Sequence, residues 1–128
     1  MQEIFSQMVR VEKSGHGFEA TVERIKNAAE KNGWKVTGIL DLRESLGVNV
    51  CIIEICNAEY AGGALKKPET RWVGAMMPCR FAVAENPDGV YVYTMNMELF
   101  AKAVEGELSD VFRRIAEDDH NILSDALG

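Results

Sequence analysis

The sequence predicts an α+β domain with a single antiparallel sheet and helices packed on one of its faces. A chain of 128 residues, 47% of them hydrophobic and 27% charged, fits one globular domain. Strand-like alternation and helix-like periodicity follow each other in the order β-α-β-β-(α)-β-β-α. No repeat or linker-like stretch divides the chain, so we assign residues 1–128 to a single domain.

Three strands and one long helix are predicted in the first half of the chain. Weak alternation over residues 4–13 predicts the first strand, and 34–42 and 48–56 predict the second and third. Between them, apolar residues recur at helical spacing over about 18–32, and Gly33 is a typical helix end. Four residues of this helix are expected to face the sheet: Phe18, Val22, Ile25 and Ala29.

The second half predicts a short helix, a hairpin and a helical C-terminal region. Asn57 is a candidate N-cap for a helix over 57–66. Residues 73–83 alternate as a strand, and an Asn-Pro-Asp-Gly turn connects them to a partner strand at 90–95. The helical region that follows is expected to be broken near Gly106.

The charge of the chain argues against nucleic-acid and membrane partners. The net charge is −6, because 14 basic residues face 20 acidic ones, and an acidic surface repels phosphate groups. No apolar run approaches the roughly 20 residues of a membrane span, and the first residues do not resemble a signal peptide. Three cysteines cannot all pair within one chain. We therefore expect a cytoplasmic protein with reduced thiols.

Cys56 is the first candidate for chemistry. It follows a strand and directly precedes Asn57 and the predicted short helix, and a helix N-terminus favours a thiolate. Glu59 in the first turn opposes this effect. The alternative interpretation is a buried cysteine that acts as a small apolar side chain, which is also what we expect of Cys51.

Cys79 is the second candidate. It follows Pro78, which cannot donate to a strand ladder, so an edge strand or a bulge is expected there. A bulge could turn Cys79 toward Cys56, where the two could act as a dithiol, a disulfide or a metal clip. The sequence does not establish whether their strands are neighbours.

No cofactor or metal is expected, because the chain lacks the Cys and His spacings of preorganised metal sites. His16 lies between two glycines of a turn. His120 follows Asp118 and Asp119, which are expected on a solvated face and to fray or kink the last helix. Methionines at 76, 77, 95 and 97 fit either a packed core or an adaptable binding groove.

The chain resembles the domain-of-unknown-function family 302 over residues 8–125. The resemblance is carried by Phe18-Glu19-Ala20-Thr21-Val22-Glu23-Arg24-Ile25, Gly38-Ile39-Leu40-Asp41-Leu42, Ile55-Cys56-Asn57-Ala58 and Met77-Pro78-Cys79-Arg80-Phe81-Ala82-Val83. Ala58 stands where the family usually has proline. The resemblance implies a TATA-binding-protein-like α+β fold, often seen as a homodimer, but no established activity. Similar proteins are often encoded near sulfur-handling or redox functions.

Two functions follow as hypotheses. The first is a dimeric binding module for a small ligand or a partner. A homodimer is expected because both faces of the strand over 48–56 are apolar and one helical layer covers only one face. The alternative is a thiol redox or persulfide-carrying protein that uses Cys56 and Cys79, with Asn57, Pro78 and Arg80 around them. Whether the chain is an enzyme stays open, because no acid–base motif supports another reaction.

Overall fold

The computed structural model describes residues 2–128 and contains one five-stranded antiparallel sheet, which confirms the predicted fold class. The strands are β1 (Val9–Ser14), β2 (Lys35–Asp41), β3 (Val50–Cys56), β4 (Cys79–Asn86) and β5 (Gly89–Met95). Their order across the sheet is β1-β5-β4-β3-β2. The helices are α1 (Glu3–Met8), α2 (Phe18–Lys31), α3 (Arg43–Leu46), α4 (Ala58–Leu65), α5 (Met97–Lys102) and α6 (Gly106–Leu127), and a 3-10 segment covers Pro68–Met76.

The core lies on one face of the sheet, under α2 and α6. Alternate residues of the central strands point into it, and these side chains are almost fully buried: Cys51, Ile53, Ile55, Phe81 and Val83. The helix α2 lies against three strands and against α6, which also packs on α4 and α5. This alternation of buried and exposed positions is what a sheet with one covered face requires.

The opposite face of the sheet, here called the open face, carries an apolar row across all five strands. The strand registers align these residues side by side: Val11, Tyr93, Ala82, Ile52 and Leu40. Val11 is 41% exposed and Leu40 is 48% exposed. A register irregularity in β2 between Val36 and Gly38 places Leu40 on this face, although Val36 points to the core beside Ile55. Regular alternation over residues 34–42 predicts Val36 and Leu40 on one face, and this prediction is wrong because of the irregularity.

The predicted first strand is wrong in its first half. Residues 3–8 form α1, which packs against α5 and β1, and the strand begins only at Val9. The alternation over 4–13 was weak, and the Ser6 hydroxyl donates to the Glu3 carbonyl at 2.6 Å within the helix.

The predicted strand over 73–83 is also too long. Residues 68–76 form the 3-10 segment, with Pro68 at its start, and β4 begins only at Cys79. Pro78 lies outside the strand, and the Met77–Pro78 bond is cis. β4 lies between β3 and β5, so the expected edge strand or bulge at Pro78 is wrong. A proline directly before a strand withholds no ladder hydrogen bond, which is why it is compatible with a central strand.

The long helices agree with the predicted periodicity, apart from two details. In α2, Thr21 is fully buried while Val22 is only half-buried, and the Thr21 hydroxyl shares a 2.7 Å hydrogen bond with the Ser14 hydroxyl. This bond allows a polar side chain at the core face. The break before α6 lies at Gly106, which has φ +67, as predicted. The helix α6 runs without interruption from Gly106 to Leu127, so the expected fraying at Asp118 and Asp119 is wrong, and Asp119 is buried against the core.

Candidate functional site

A cavity of about 400 Å³ lies at the end of the sheet where β1 and β4 begin and β5 ends. One wall is the buried face of α6, which contributes Phe112 and Ile115, and another is formed by Val73 of the 3-10 segment. The cavity also reaches the open face at Ala82. All four methionines singled out in the sequence lie in its wall: Met76, Met77, Met95 and Met97. The binding-groove interpretation of these methionines therefore has a structural counterpart.

The structure places the two candidate cysteines on neighbouring strands. Cys79 lies opposite Ile55 in the register of β3 and β4, so it is next to Cys56 along the sheet. Because side chains alternate, Cys79 shares the core face with Ile55 and Cys56 points to the other side. Cys79 lines the cavity, and both thiols are free and half-buried. Cys51 is buried at 2% exposure on the core face, and burial raises the pKa of its thiol.

The thiol of Cys79 is held in its neutral form. Burial is the largest cause, and the nearby carboxyl of Asp119 and the thiol of Cys56 add to it, so that its pKa is raised to about 12. The guanidinium of Arg80 acts in the opposite direction. A neutral thiol is a poor nucleophile and a poor metal ligand.

The other candidate residues take different places around the cavity. Pro78 and Arg80 line it, with Arg80 exposed to solvent. Asn57 caps α4, as predicted, by accepting a hydrogen bond from the Glu59 backbone N–H at 3.1 Å. Of the set formed by Cys56, Asn57, Pro78, Cys79 and Arg80, the structure therefore brings the last three together in the cavity wall.

Asp119 is the residue that sequence reasoning missed. It lines the cavity, is only 4% exposed, and its Oδ1 has no hydrogen-bond partner in the described residues. Burial raises its pKa to about 8, and the carboxylate of Asp118 adds to this while Arg10 opposes it. A signal was present, because Asp119 lies four residues after Ile115 and three before Ile122 and thus on the apolar stripe of α6.

Asp119 also borders a second, wider depression of about 670 Å³ on its other side. There the Arg10 guanidinium pairs with Glu12 at 3.1 Å and contacts His120 Nδ1 at 3.2 Å. His16 is distant in sequence from Asp119 and His120. It lies in the turn after β1, where its backbone N–H donates to the Ser14 hydroxyl. Among residues 2–128, no three His, Cys, Asp or Glu side chains are grouped so that they could hold a metal ion.

The comparisons with known proteins identify the family. The model of the family described as "Domain of unknown function DUF302" matches residues 9–127. The chain belongs to this family. A crystal structure of an uncharacterized conserved DUF302 protein from Bacillus stearothermophilus is similar, with 18% identity and a TM-score of 0.81. The match covers 93% of this chain and 98% of that one, and it shows that the two share the fold.

No curated protein matches this chain. Within residues 2–128, no helix combines the length and apolar character that crossing a membrane requires. The DUF302 assignment therefore brings a fold but no activity, and the function has to be argued from the cavity and its residues.

Proposed function

We propose that this DUF302 protein is a cytoplasmic binding module that takes a small, mainly apolar ligand into the 400 Å³ cavity and acts as a homodimer. The observation that carries the proposal is the cavity itself. Its volume falls in the range of small-molecule sites, about 300–1,000 Å³. The combination of an apolar wall and a few converging polar groups is typical of such sites.

The elements around the cavity support a preformed site. Much of its wall comes from β4, β5 and α6, which are regular elements with fixed backbone geometry, and the 3-10 segment with Met77 and Pro78 completes it. The methionine side chains add adaptable apolar contacts, because the unbranched thioether adjusts to the shape of a ligand. Cys79 and Asp119 supply polar groups within this wall.

Ligand binding can be tested with N-phenyl-1-naphthylamine, an uncharged fluorescent probe of apolar sites. Ala82→Leu adds bulk to the cavity wall, and Ala84→Leu is its matched control, since it lies two residues along on the same face of β4 outside that wall. We expect saturable binding to the parent, a loss of at least tenfold in affinity for the first variant, and a change within twofold for the control. Absence of saturable binding, or an equal effect of both variants, would contradict the proposal.

The dimer is proposed to form through the open face. The five strands, about 4.8 Å apart and about 20 Å long, span roughly 500 Å² per copy, or about 1,000 Å² for the pair. That is the size at which a specific interface becomes feasible, and a dimer would remove the apolar row at the centre of this face from water. A second copy can present the same row under two-fold symmetry.

Sedimentation at micromolar concentration tests the dimer. The parent is expected at twice the 14.2 kDa mass of one chain. Leu40→Glu on the open face should give monomers, whereas Leu46→Glu should not, because Leu46 is 63% exposed in α3 and lies off the sheet. A monomeric parent would overturn this part of the proposal.

Thiol redox or persulfide chemistry is the second candidate function, and the placement of Cys79 beside Cys56 across β3 and β4 favours it. In the redox form, the two thiols would form a disulfide and pass two electrons and two protons to a disulfide-bearing partner. The high pKa of Cys79 and the opposite faces of the two side chains oppose this function.

Intact mass after treatment with oxidised glutathione separates the two functions. The redox candidate requires a loss of about 2 Da for each disulfide formed, in the parent and in Cys51→Ser but not in Cys79→Ser. Retention of all free thiols in the parent would contradict it and leave the binding function alone.

A further inference from the structure

We propose that the cavity selects a small organic cation, a molecule with an apolar body and a primary ammonium head that pairs with the buried carboxyl of Asp119. The inference rests on the proposed binding function and names the class of its ligand. It starts from a buried side chain that the fold leaves without a partner.

Asp119 stands out among the polar groups of the cavity wall. The Thr94 hydroxyl donates to the Arg80 carbonyl at 2.7 Å, and the Tyr93 hydroxyl accepts from the Asn86 amide at 2.9 Å. These two groups are therefore engaged within the protein. The Oδ1 atom of Asp119 has no such partner, although the residue is more than nine-tenths buried. A buried carboxyl without a partner is costly, and such a group marks a position where a ligand can supply the missing interaction.

The charged groups around Asp119 do not supply that interaction. Arg10 on β1 is engaged with Glu12 and His120 rather than with Asp119. Asp118 accepts hydrogen bonds from Trp34 Nε1 and from the Tyr60 hydroxyl, both at 3.0 Å. The remaining charged or titratable groups that line the two cavities beside Asp119 are Cys79, Arg80, Glu98, Arg113 and Glu117.

These surroundings favour a cation over an anion. A ligand carboxylate would face the carboxyl of Asp119 and would leave the unpaired Oδ1 without a donor. An ammonium group has three N–H donors and brings the positive charge that a desolvated carboxylate lacks. Arg80 lies on the solvent side, where water screens its repulsion of a bound cation. The net charge of −6 attracts cations to the protein.

Binding of an ammonium ion should release a proton. At pH 7 Asp119 is mainly protonated, because its pKa lies at about 8. Pairing with the ammonium transfers the carboxyl proton to the buffer, while the ligand keeps its own proton, since the pKa of an alkylammonium is about 10.4. No covalent bond forms or breaks. Affinity should therefore rise about tenfold per pH unit below pH 8 and then level off.

Isothermal titration calorimetry with 4-phenylbutylamine and 4-phenylbutanol tests the inference, because the two probes differ only in the head group. For the parent at pH 7, we expect the amine to bind at least tenfold more tightly than the alcohol. Titration in two buffers of different ionisation enthalpy should show release of nearly one proton with the amine and none with the alcohol. Asp119→Asn keeps the shape of the side chain and should reduce the amine preference to within twofold, with the affinity for the alcohol unchanged.

The outcomes distinguish this inference from the proposed function. If both probes bind the parent equally and no proton is released, the cation selectivity is refuted while the binding function stands. If neither probe binds, the cation inference fails, and binding of N-phenyl-1-naphthylamine decides whether the binding function fails with it. The proton release is measured on the parent alone, so it gives an answer even if the Asp119→Asn variant does not fold.

Discussion

Replacing Asp119 by asparagine should stabilise this protein at neutral pH, which is the opposite of what most substitutions in a core do. The pKa of Asp119 is raised from 3.8 to about 8, mainly by burial. A carboxyl whose pKa is raised by folding binds its proton more tightly in the folded state than in the unfolded state. Its contribution to stability is therefore fully present below the pKa of the unfolded state, and it is lost as the pH rises to the pKa of the folded state. Between pH 3.8 and pH 8, the unfolded chain releases a proton that the folded chain retains.

The size of the effect follows from the shift. One pKa unit corresponds to about 1.36 kcal/mol. At pH 7 the unfolded carboxyl is about three units above its pKa while the folded one is still mainly protonated, so the folded state is disfavoured by about 4 kcal/mol. At pH 5 the same reasoning gives about 1.5 kcal/mol. Asparagine has similar shape and cannot ionise, and this pH-dependent cost is absent from the variant.

Urea unfolding of parent and variant at pH 5, 6 and 7 gives the comparison. The difference in free energy of unfolding should grow by about 1.4 kcal/mol per pH unit in favour of Asp119→Asn. Asp110→Asn is the control on the same helix, because Asp110 is exposed and pairs only with Arg113 at 3.4 Å. That variant should stay within about 1 kcal/mol of the parent at each pH. A difference that does not depend on pH would show that Asp119 is ionised in the folded protein and refute the reasoning.

Two further predictions concern the thiols and the helical phase. Brief alkylation at pH 7 followed by peptide mapping should label Cys56 first, because burial raises the pKa of the thiols of both Cys51 and Cys79. Labelling of Cys51 before the other two cysteines would contradict this prediction. Ile25→Asp should lower the free energy of unfolding by about 3 kcal/mol or more, since it places an unpaired charge in the core, whereas Glu23→Lys on the solvated side of α2 should change it by about 0.5 kcal/mol. Equal effects in a urea titration would mean that α2 is oriented differently.

The parts of the fold that could be predicted from sequence are those with a strong period. The helix α2 repeats its apolar residues over four turns, and Gly106 marks the start of α6 with a conformation that favours glycine. The third strand, with Cys51 and Ile53 buried and Ile52 on the open face, is apolar on both sides, which the sequence shows directly. In each case the local pattern and the tertiary packing agree.

The errors fall where a local pattern and the tertiary packing diverge. Alternation over 73–83 fits a strand as well as a 3-10 segment followed by Pro78 and β4, and only packing decides between them. The acidic pair at the middle of α6 looked solvated by composition, whereas helical spacing puts Asp119 on the buried stripe. The prediction of a solvated pair followed the acidic composition of these two residues, whereas the helical spacing of Asp119 indicated the buried position that the structure shows. The cavity itself depends on six separate stretches of the chain and has no signature in any one of them.

The proposed dimer and the proposed ligand site are not independent of each other. Ala82, Ile52 and Tyr93 belong both to the apolar row of the open face and to the wall of the cavity. A second copy seated on that row would therefore lie against one side of the cavity and change how water reaches it. By linkage, any factor by which dimerisation changes the affinity for a ligand is also the factor by which the ligand changes the affinity between the copies. The Leu40→Glu variant, which is expected to be monomeric, separates the two, because Leu40 lies in the row but outside the cavity wall.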